Sequence, residues 1–167
     1  MTRTHWLTPE ESRAWINLID CSTLLGDFLD QQLRRDAGMA HADYSLLARL
    51  SSASDRTLGM SALAEQLKFT RSRLTRAVIR LEESGFVRRL DDPADRRGQL
   101  VELTDEGMAL LTGAAPGHVA AVRRAVFDAL APDQVEQLAT ITAAVIASLN
   151  RAGEDDAYPA SLPWHRR

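Results

Sequence analysis

The stretch from residue 71 to residue 84 constrains the fold most, because a helix there would have two chemically opposite faces. At 100° per residue, the apolar face consists of Leu74, Ala77, Val78 and Leu81. The polar face carries Ser72, Arg73, Arg76 and Arg80. One side is suited to a hydrophobic core, while the other presents three guanidinium groups, which pair well with guanine edges or phosphates.

The residues around this helix predict a helix-turn-helix. Residues 60–67 form a short amphipathic helix, Lys68 and Phe69 a turn, and Thr70 an N-cap, while Gly85 ends the second helix. That second helix is expected to enter the major groove of DNA. The predicted contacts from the turn and helix are Lys68, Thr70, Arg71, Ser72, Arg73, Thr75, Arg76 and Arg80.

These contacts have different expected roles. Ser72, Arg73, Thr75 and Arg76 are expected to read or position bases, whereas Lys68 and Arg80 contact mainly the DNA backbone. The competing interpretation is a solvated basic face. Such faces usually carry acids that neutralise the arginines, but Glu82 and Glu83 come only at the far end of this helix. Ile79 lies beside the polar face and would touch a thymine methyl or cover the helix flank.

A β-hairpin is predicted after this helix. Residues 86–90 and 99–103 are rich in Val, Leu and Phe, and residues 91–98 between them are dense in turn formers. Asp95, Arg96 and Arg97 lie at the tip. A protruding arginine suits a narrow minor groove, with Asp95 holding the loop. A solvated turn is the competing interpretation.

Long helices are expected on both sides of this lobe. Thr8 and Pro9 begin a helix that Gly38 ends, and residues 42–53 form another. A third long helix starts after Thr104, and Pro116-Gly117 is expected to kink or split it. The predicted domains are a helical dimerisation region, 8–37 and 104–151, and a winged helix-turn-helix DNA-binding lobe, 42–103.

The last predicted helix opens at Pro132. Its apolar positions follow spacings of three and four, which is typical of a paired helix. The predicted dimerisation seam is Val135, Leu138, Thr142, Val145 and Leu149, with Trp6 and Leu7 packing nearby. A core helix within one chain would show the same pattern. Residues 152–167 are polar and proline-bearing, and we expect them to be largely disordered.

Composition excludes several classes of protein. The 167 residues are 45% hydrophobic and 26% charged, without an apolar run long enough to span a bilayer or a secretory start, so a cytoplasmic protein is expected. Residues 68–97 carry a net charge of +4 and the remainder −7, which favours a local polyanion site. The single cysteine and four scattered histidines predict no metal site and no cofactor. No motif joins His41, Asp43 and Cys21 into a catalytic site, so an enzyme is not expected.

Several segments resemble the MarR family of bacterial winged helix-turn-helix regulators. They match in order and spacing and comprise Leu63-Ala-Glu-Gln-Leu67, Thr70-Arg-Ser-Arg-Leu-Thr-Arg76, Leu81-Glu-Glu-Ser-Gly-Phe-Val-Arg-Arg89, Asp92-Pro-Ala-Asp-Arg-Arg97 and Leu103-Thr-Asp-Glu-Gly107. The fold that this resemblance implies is mainly α with a small β-hairpin wing, flanked by long dimerisation helices. The resemblance extends to about residue 151.

The resemblance also implies how such a chain would act. It implies a homodimer with interlocking terminal helices, a near-palindromic DNA operator read in successive major grooves, and Arg97 in the minor groove. Many members are repressors released by a small, often aromatic ligand bound between the dimerisation region and the DNA-binding lobe. We expect the same here, with Trp15, Tyr44 or His118 as pocket residues by position only.

Two alternatives stay open beside the ligand-responsive repressor. Some members of the family sense oxidants through a cysteine in the first helix, and Cys21 lies in that helix, although later than the sensing position and without tyrosine partners. A buried structural thiol is the expected state of Cys21. The other alternative is a winged-helix module that binds protein, in which the arginines would meet acids on a partner.

Overall fold

The computed structural model describes residues 6–93 and 98–155. Its described helices are α1 (Pro9–Ala37), α2 (His41–Ser51), α3 (Met60–Leu67), α4 (Arg71–Glu83), α5 (Asp105–Ala125) and α6 (Pro132–Asp155). Its described strands are β1 (Thr57–Gly59), β2 (Val87–Asp91) and β3 (Gln99–Leu103). The mainly helical winged fold is therefore as expected, and two 3₁₀ turns, Ser54–Arg56 and Phe127–Ala129, connect neighbouring elements.

The ends of α1 follow from its sequence as predicted. Thr8 caps the first turn by accepting from the Glu11 amide, and the Glu11 side chain accepts in turn from the Thr8 amide. Gly38 ends the helix in the left-handed conformation, with φ of 66°, where a side chain is disfavoured. α2 then begins one residue earlier than expected and ends at Ser51 rather than near residue 53.

The wing has a third strand that the sequence did not indicate. β1 pairs antiparallel with β3, and β3 pairs antiparallel with β2, which gives the order β1-β3-β2. β1 is only three residues long and too short to show an alternating pattern. Its pairing supports the β2–β3 hairpin, which would be marginal alone.

The helix-turn-helix of α3 and α4 packs on α2 and on the wing. Buried side chains of all these elements form one core, comprising Leu46, Leu47, Leu50, Leu63, Leu74, Ala77, Val78, Leu81, Val87, Val101 and Leu103 among others. The apolar face predicted for α4 is therefore buried in full. This packing sets which face of α4 points outward.

Of the kink or split expected at Pro116, the split does not occur, because α5 is one helix through Asp105–Ala125. Proline removes one backbone hydrogen bond and crowds the preceding turn. Leu111 and Ala121 are both buried, one on each side of the proline, and burial on both sides favours a continuous helix. The helical path breaks later, at the 3₁₀ turn after Ala125.

The described chain divides into two compact units, one ending at Val122 and the other beginning at Arg123. In the second unit, α6 continues to Asp155. The expectation of disorder from residue 152 is therefore wrong for 152–155, because helical hydrogen bonding extends into the polar sequence. Residues 156–167, the remainder of that expectation, lie outside the described residues. The division into dimerisation and DNA-binding regions stays a prediction.

Candidate nucleic-acid interface

The helix α4 begins at a side-chain cap and exposes the predicted polar residues. The Arg73 amide donates to the Thr70 hydroxyl at 3.3 Å, which satisfies one amide of the first turn. The opposite face is buried, with Leu74 and Val78 each only 1% exposed. The exposed residues of the turn and helix include Lys68, Thr70, Arg71, Ser72, Arg73, Thr75, Arg76 and Arg80. The structure thus brings all eight predicted side chains of this segment to the surface.

The turn before α4 also orients an arginine. Lys68 adopts a left-handed conformation, with φ of 54°, and its amide donates to carbonyls at the end of α3. Phe69 is half-buried, and the Arg73 guanidinium carbon lies 4.0 Å from the centre of its ring. A cation above an aromatic face is attracted to it. Arg73 is therefore held close to the helix rather than extended.

The hydroxyl groups on α4 are partly engaged within the helix. The Thr75 hydroxyl donates to the Arg71 carbonyl at 2.9 Å, and the Thr70 and Ser72 hydroxyls are 3.3 Å apart. A hydroxyl that donates locally still has acceptor lone pairs. Ile79 is 38% exposed, so it lies at the edge of this surface.

Arg80, which is expected to contact mainly the DNA backbone, has a protein partner that the sequence did not indicate. Its Nε lies 3.2 Å from Oδ2 of Asp43 and its Nη2 lies 2.5 Å from Oδ1, a bidentate ion pair between α4 and α2. The hydrogen bond to Asp43 raises the pKa of Arg80, although burial of the group opposes this. The prediction that no acid neutralises the arginine face is therefore wrong at Arg80, because Asp43 of another helix neutralises it.

Sequence reasoning missed Asp43 as a partner of α4. Asp43 is 5% exposed and shares its helix face with Leu46, Leu47 and Leu50. A carboxylate on an otherwise apolar face requires a buried cation or hydrogen-bond donor. The spacing 43, 46, 47 and 50 was the signal that could have indicated a cross-helix pair.

Two arginines of the wing are also in ion pairs. Arg88 of β2 pairs with Glu102 of β3, and Arg89 pairs with Glu82 at the end of α4. The nearby guanidinium lowers the pKa of each of these two glutamates through hydrogen bonding. β3 has the predicted bounds, whereas β2 lies one residue later than the predicted 86–90, with Asp91 opposite Gln99 nearest the tip. The predicted wing contacts Asp95, Arg96 and Arg97 lie outside the described residues.

A polar and aromatic cluster joins α1, α2 and α5. The rings of Tyr44 and His118 are 4.3 Å apart, those of His41 and His118 are 5.6 Å apart, and Nδ1 of His118 lies 3.3 Å from Oε1 of the buried Gln32. Burial lowers the pKa of both histidines, and the nearby His41 charge further lowers that of His118. The predicted pocket residues Tyr44 and His118 thus meet.

Trp15 is not part of that cluster. It precedes Gln32 by 17 residues of the same helix, a distance of about 25 Å at 1.5 Å per residue. Its side chain is 55% exposed. Trp15 therefore does not meet Tyr44 and His118 within one chain, and its expected place in a ligand pocket stays a prediction.

The residues predicted for dimerisation are not buried within the chain. Leu138, Val145 and Leu149 of α6 are 37%, 40% and 66% exposed, and Val135 and Thr142 are half-buried. The competing interpretation of α6 as a core helix is therefore not supported. Leu7 and Trp6 are 57% and 81% exposed in the single chain, and their expected packing near the dimerisation seam stays a prediction.

The first helix has an exposed apolar stretch of its own. Its exposed large side chains are Trp15, Ile16, Leu18, Ile19 and Leu24. Cys21 lies in this stretch and is exposed, so the expected buried thiol is wrong, because this part of α1 packs against no core.

The described ranges 6–93 and 98–155 also bear on metal binding and membrane insertion. Within them, no group of three or more histidine, cysteine or acidic residues is arranged to hold a metal ion. None of the described helices combines the length and the apolar character that a membrane crossing needs.

Comparisons with known proteins agree with this geometry. The MarR family model matches residues 40–98. Sco3205 from Streptomyces coelicolor, a MarR family transcriptional regulator solved in complex with DNA, is 51% identical, with a TM-score of 0.85 over 89% of this chain and 93% of that one. AbsC from the same organism, another MarR family transcriptional regulator, is 34% identical, with a TM-score of 0.83 over 88% of this chain and 99% of AbsC.

A curated relative matches a shorter part of the chain. The HTH-type transcriptional regulator PrsX of Escherichia coli is 39% identical over 71 residues, which are 42% of this chain and 43% of PrsX. The chain thus spans less than half of the length of that relative. The relatives are transcriptional regulators, not enzymes. Three features support membership of the same family: the winged fold, the exposed polar face of α4 and the extent of the match to Sco3205. This chain belongs to the MarR family of transcriptional regulators.

Proposed function

We propose that this protein regulates transcription by binding double-stranded DNA as a homodimer, and that it acts as a repressor released by a small ligand. The observation that carries the DNA-binding part is the division of α4 into two faces. Leu74, Ala77, Val78 and Leu81 are buried, while the face with Arg73 and Arg76 is exposed. The 51% identity to a regulator solved with DNA supports the same assignment.

In this proposal α4 enters the major groove. Arg76, Arg73, Ser72 and Thr75 read or position bases and phosphates, while Arg71, Thr70 and Lys68 support contacts to the backbone. The wing residues Asp95, Arg96 and Arg97 serve the minor groove. In a homodimer the two recognition helices would lie about 34 Å apart, one turn of DNA, and would read a near-palindrome.

The exposed apolar side chains of α1 and α6 support the homodimer. Single exposed apolar residues are ordinary, but α1 and α6 each carry several at helical spacing. Apolar stripes of this kind are stabilised when a partner covers them.

Release by a ligand is supported by family membership and by the cluster of Tyr44, His118 and Gln32, which combines aromatic faces with a buried amide. Small-molecule sites commonly combine such groups. A ligand could act only by binding one spacing of the recognition helices better than the other.

The test is binding to a labelled duplex from the promoter upstream of the protein's own gene, titrated with salt. The affinity should fall steeply with salt, since each neutralised phosphate releases counterions. The variant Arg76→Ala should lose about 1–3 kcal/mol of specific binding. Arg49→Ala, which removes an exposed arginine of α2 outside the proposed interface, is the control and should bind like the wild type.

Equal binding by Arg76→Ala and the wild type would remove the assignment of α4. Adding salicylate-like aromatic acids to the same complex tests the ligand. Release of the DNA by an aromatic acid, at concentrations that leave the free protein folded, supports regulation by such a ligand. An unchanged DNA affinity in the presence of these acids contradicts an aromatic ligand of this type.

A further inference from the structure

The ion pair between Asp43 and Arg80 crosses from the core to the recognition helix. The side chain of Asp43 is 8% exposed and that of Arg80 is 53% exposed, so a buried carboxylate forms an ion pair with a guanidinium at the surface. Both guanidinium contacts are made, at 3.2 Å and 2.5 Å. A bidentate pair restricts direction as well as distance.

The pair holds α4 at a defined rotation about its axis. Arg76 lies four residues before Arg80, about 6 Å along the axis, and shares its face. The start of α4 is held separately, by the Thr70 cap and by Arg73 over Phe69. Buried apolar contacts are not directional, so the leucines of α4 alone leave small rotations open.

We infer that Asp43 is a positioning residue for DNA recognition, which acts through Arg80 to aim Arg76 and its neighbours at the base edges. This inference rests on the proposed DNA-binding function. Asp43 itself touches no DNA in this arrangement. Its effect should therefore be seen in the discrimination between DNA sequences more than in the attraction to DNA in general.

A different role for Arg80 gives opposite results. If Arg80 were mainly a phosphate contact, Asp43→Asn would release it toward DNA and would not weaken binding. Arg80→Gln would then lower the salt slope by about one, and Arg80→Lys would keep most of the affinity, since lysine also binds phosphate.

The experiment measures the ratio of affinities for the promoter duplex and a scrambled duplex of equal length, across a salt series. The variants are Asp43→Asn, Arg80→Gln, the double variant and Arg80→Lys. Glu102→Gln is the matched control, because it removes the same charge from another arginine pair of the same lobe, at a carboxylate on the wing. Chemical denaturation of each variant without DNA checks that it is folded under binding conditions.

A positioning role predicts that Asp43→Asn and Arg80→Gln each lower the specificity ratio by about tenfold. The double variant should be no worse than either single variant, since both changes break one interaction. Arg80→Lys should retain little of the wild-type specificity ratio, because lysine cannot form the bidentate contact. The salt slope on scrambled DNA should stay unchanged in Arg80→Gln, and Glu102→Gln should keep the wild-type ratio.

Three results would each overturn the positioning role. They are losses of specificity that add up in the double variant, a salt slope reduced by one in Arg80→Gln, and a wild-type specificity ratio in Arg80→Lys. The two Arg80 single variants keep the test decisive if Asp43→Asn fails to fold, since Arg80 is largely exposed. A wild-type protein that binds neither duplex at low salt would contradict the proposed function itself. Binding by the wild type with unchanged ratios in all variants would contradict only the positioning role.

Discussion

At the scale of single residues, Gly107 shows how closely α5 approaches the wing. A Cβ built on Gly107 would lie 2.1 Å from the Phe86 carbonyl oxygen and 2.7 Å from a Leu103 methyl. The approach is set by Thr104, whose hydroxyl donates to the Gly85 carbonyl at 2.8 Å and accepts from the Gly107 amide at 3.0 Å. Since the nearest atom belongs to the backbone, it cannot move aside as a side chain would.

We therefore expect Gly107→Ala to lower the free energy of unfolding by about 3 kcal/mol, because the strand and the helix must separate to admit the methyl group. Gly113→Ala in the same helix is the control, because a Cβ there meets no heavy atom within 4 Å. It should be neutral or stabilising by up to about 1 kcal/mol, from helix propensity alone. Urea unfolding measures both, and equal stability of the two variants would contradict the close approach.

At the scale of elements, the junction of α1, α2 and α5 carries a pH dependence. The groups around the two histidines are Gln32 and Asp30 of α1 and Tyr44 of α2, while Asp36 of α1 accepts a hydrogen bond from Gln32. Burial is the main cause that lowers the pKa of His41 and of His118 below the usual 6.5. The folded chain therefore takes up fewer protons than the unfolded chain as the pH falls below this value.

It follows that the free energy of unfolding should decrease as the pH is lowered from about 7 to 5, since the unfolded state is the one that binds protons. His118→Phe keeps a ring against Tyr44 and removes one titrating group, so its stability should fall less steeply in this range. Glu82→Gln, outside this junction, is the control. Its carboxylate has a lowered pKa through its hydrogen bond to Arg89, so its contribution is lost only below about pH 4. Parallel curves for His118→Phe and the wild type would contradict this origin.

At the scale of the whole molecule, the exposed apolar residues of α6 predict self-association. The substitution Val145→Glu would place a charge in the seam, and we expect it to shift the protein from twice the chain mass of 18.4 kDa to a single chain mass. Thr140→Glu adds the same charge on the opposite, exposed side of α6 and should leave the dimer intact. Light scattering during gel filtration measures the mass. A dimer that persists in Val145→Glu would remove this seam.

The features that were predicted correctly depend on neighbouring residues, whereas the features that were missed depend on tertiary packing. The caps at Thr8 and Thr70, the left-handed ends at Gly38 and Gly85 and the apolar face of α4 were predicted because each depends on residues within one or two turns. β1 was missed, because three residues show no period and are held by pairing with a strand some 40 positions later. Of the kink or split expected at Pro116, the split was wrong, since α5 is continuous and has buried residues on both sides of the proline.

The sequence by itself determined that this chain has a helix with a buried apolar face and an outward arginine face, because helical periodicity is a local property. It also determined the order of elements that places this helix between a short helix and a wing. Only the tertiary structure decided which arginines point away from the protein. Arg80 faces the same way as Arg76 on the helix, yet it is paired to Asp43, 37 positions earlier. No periodicity reports such a partner, since two helices distant in sequence become neighbours only when the core packs.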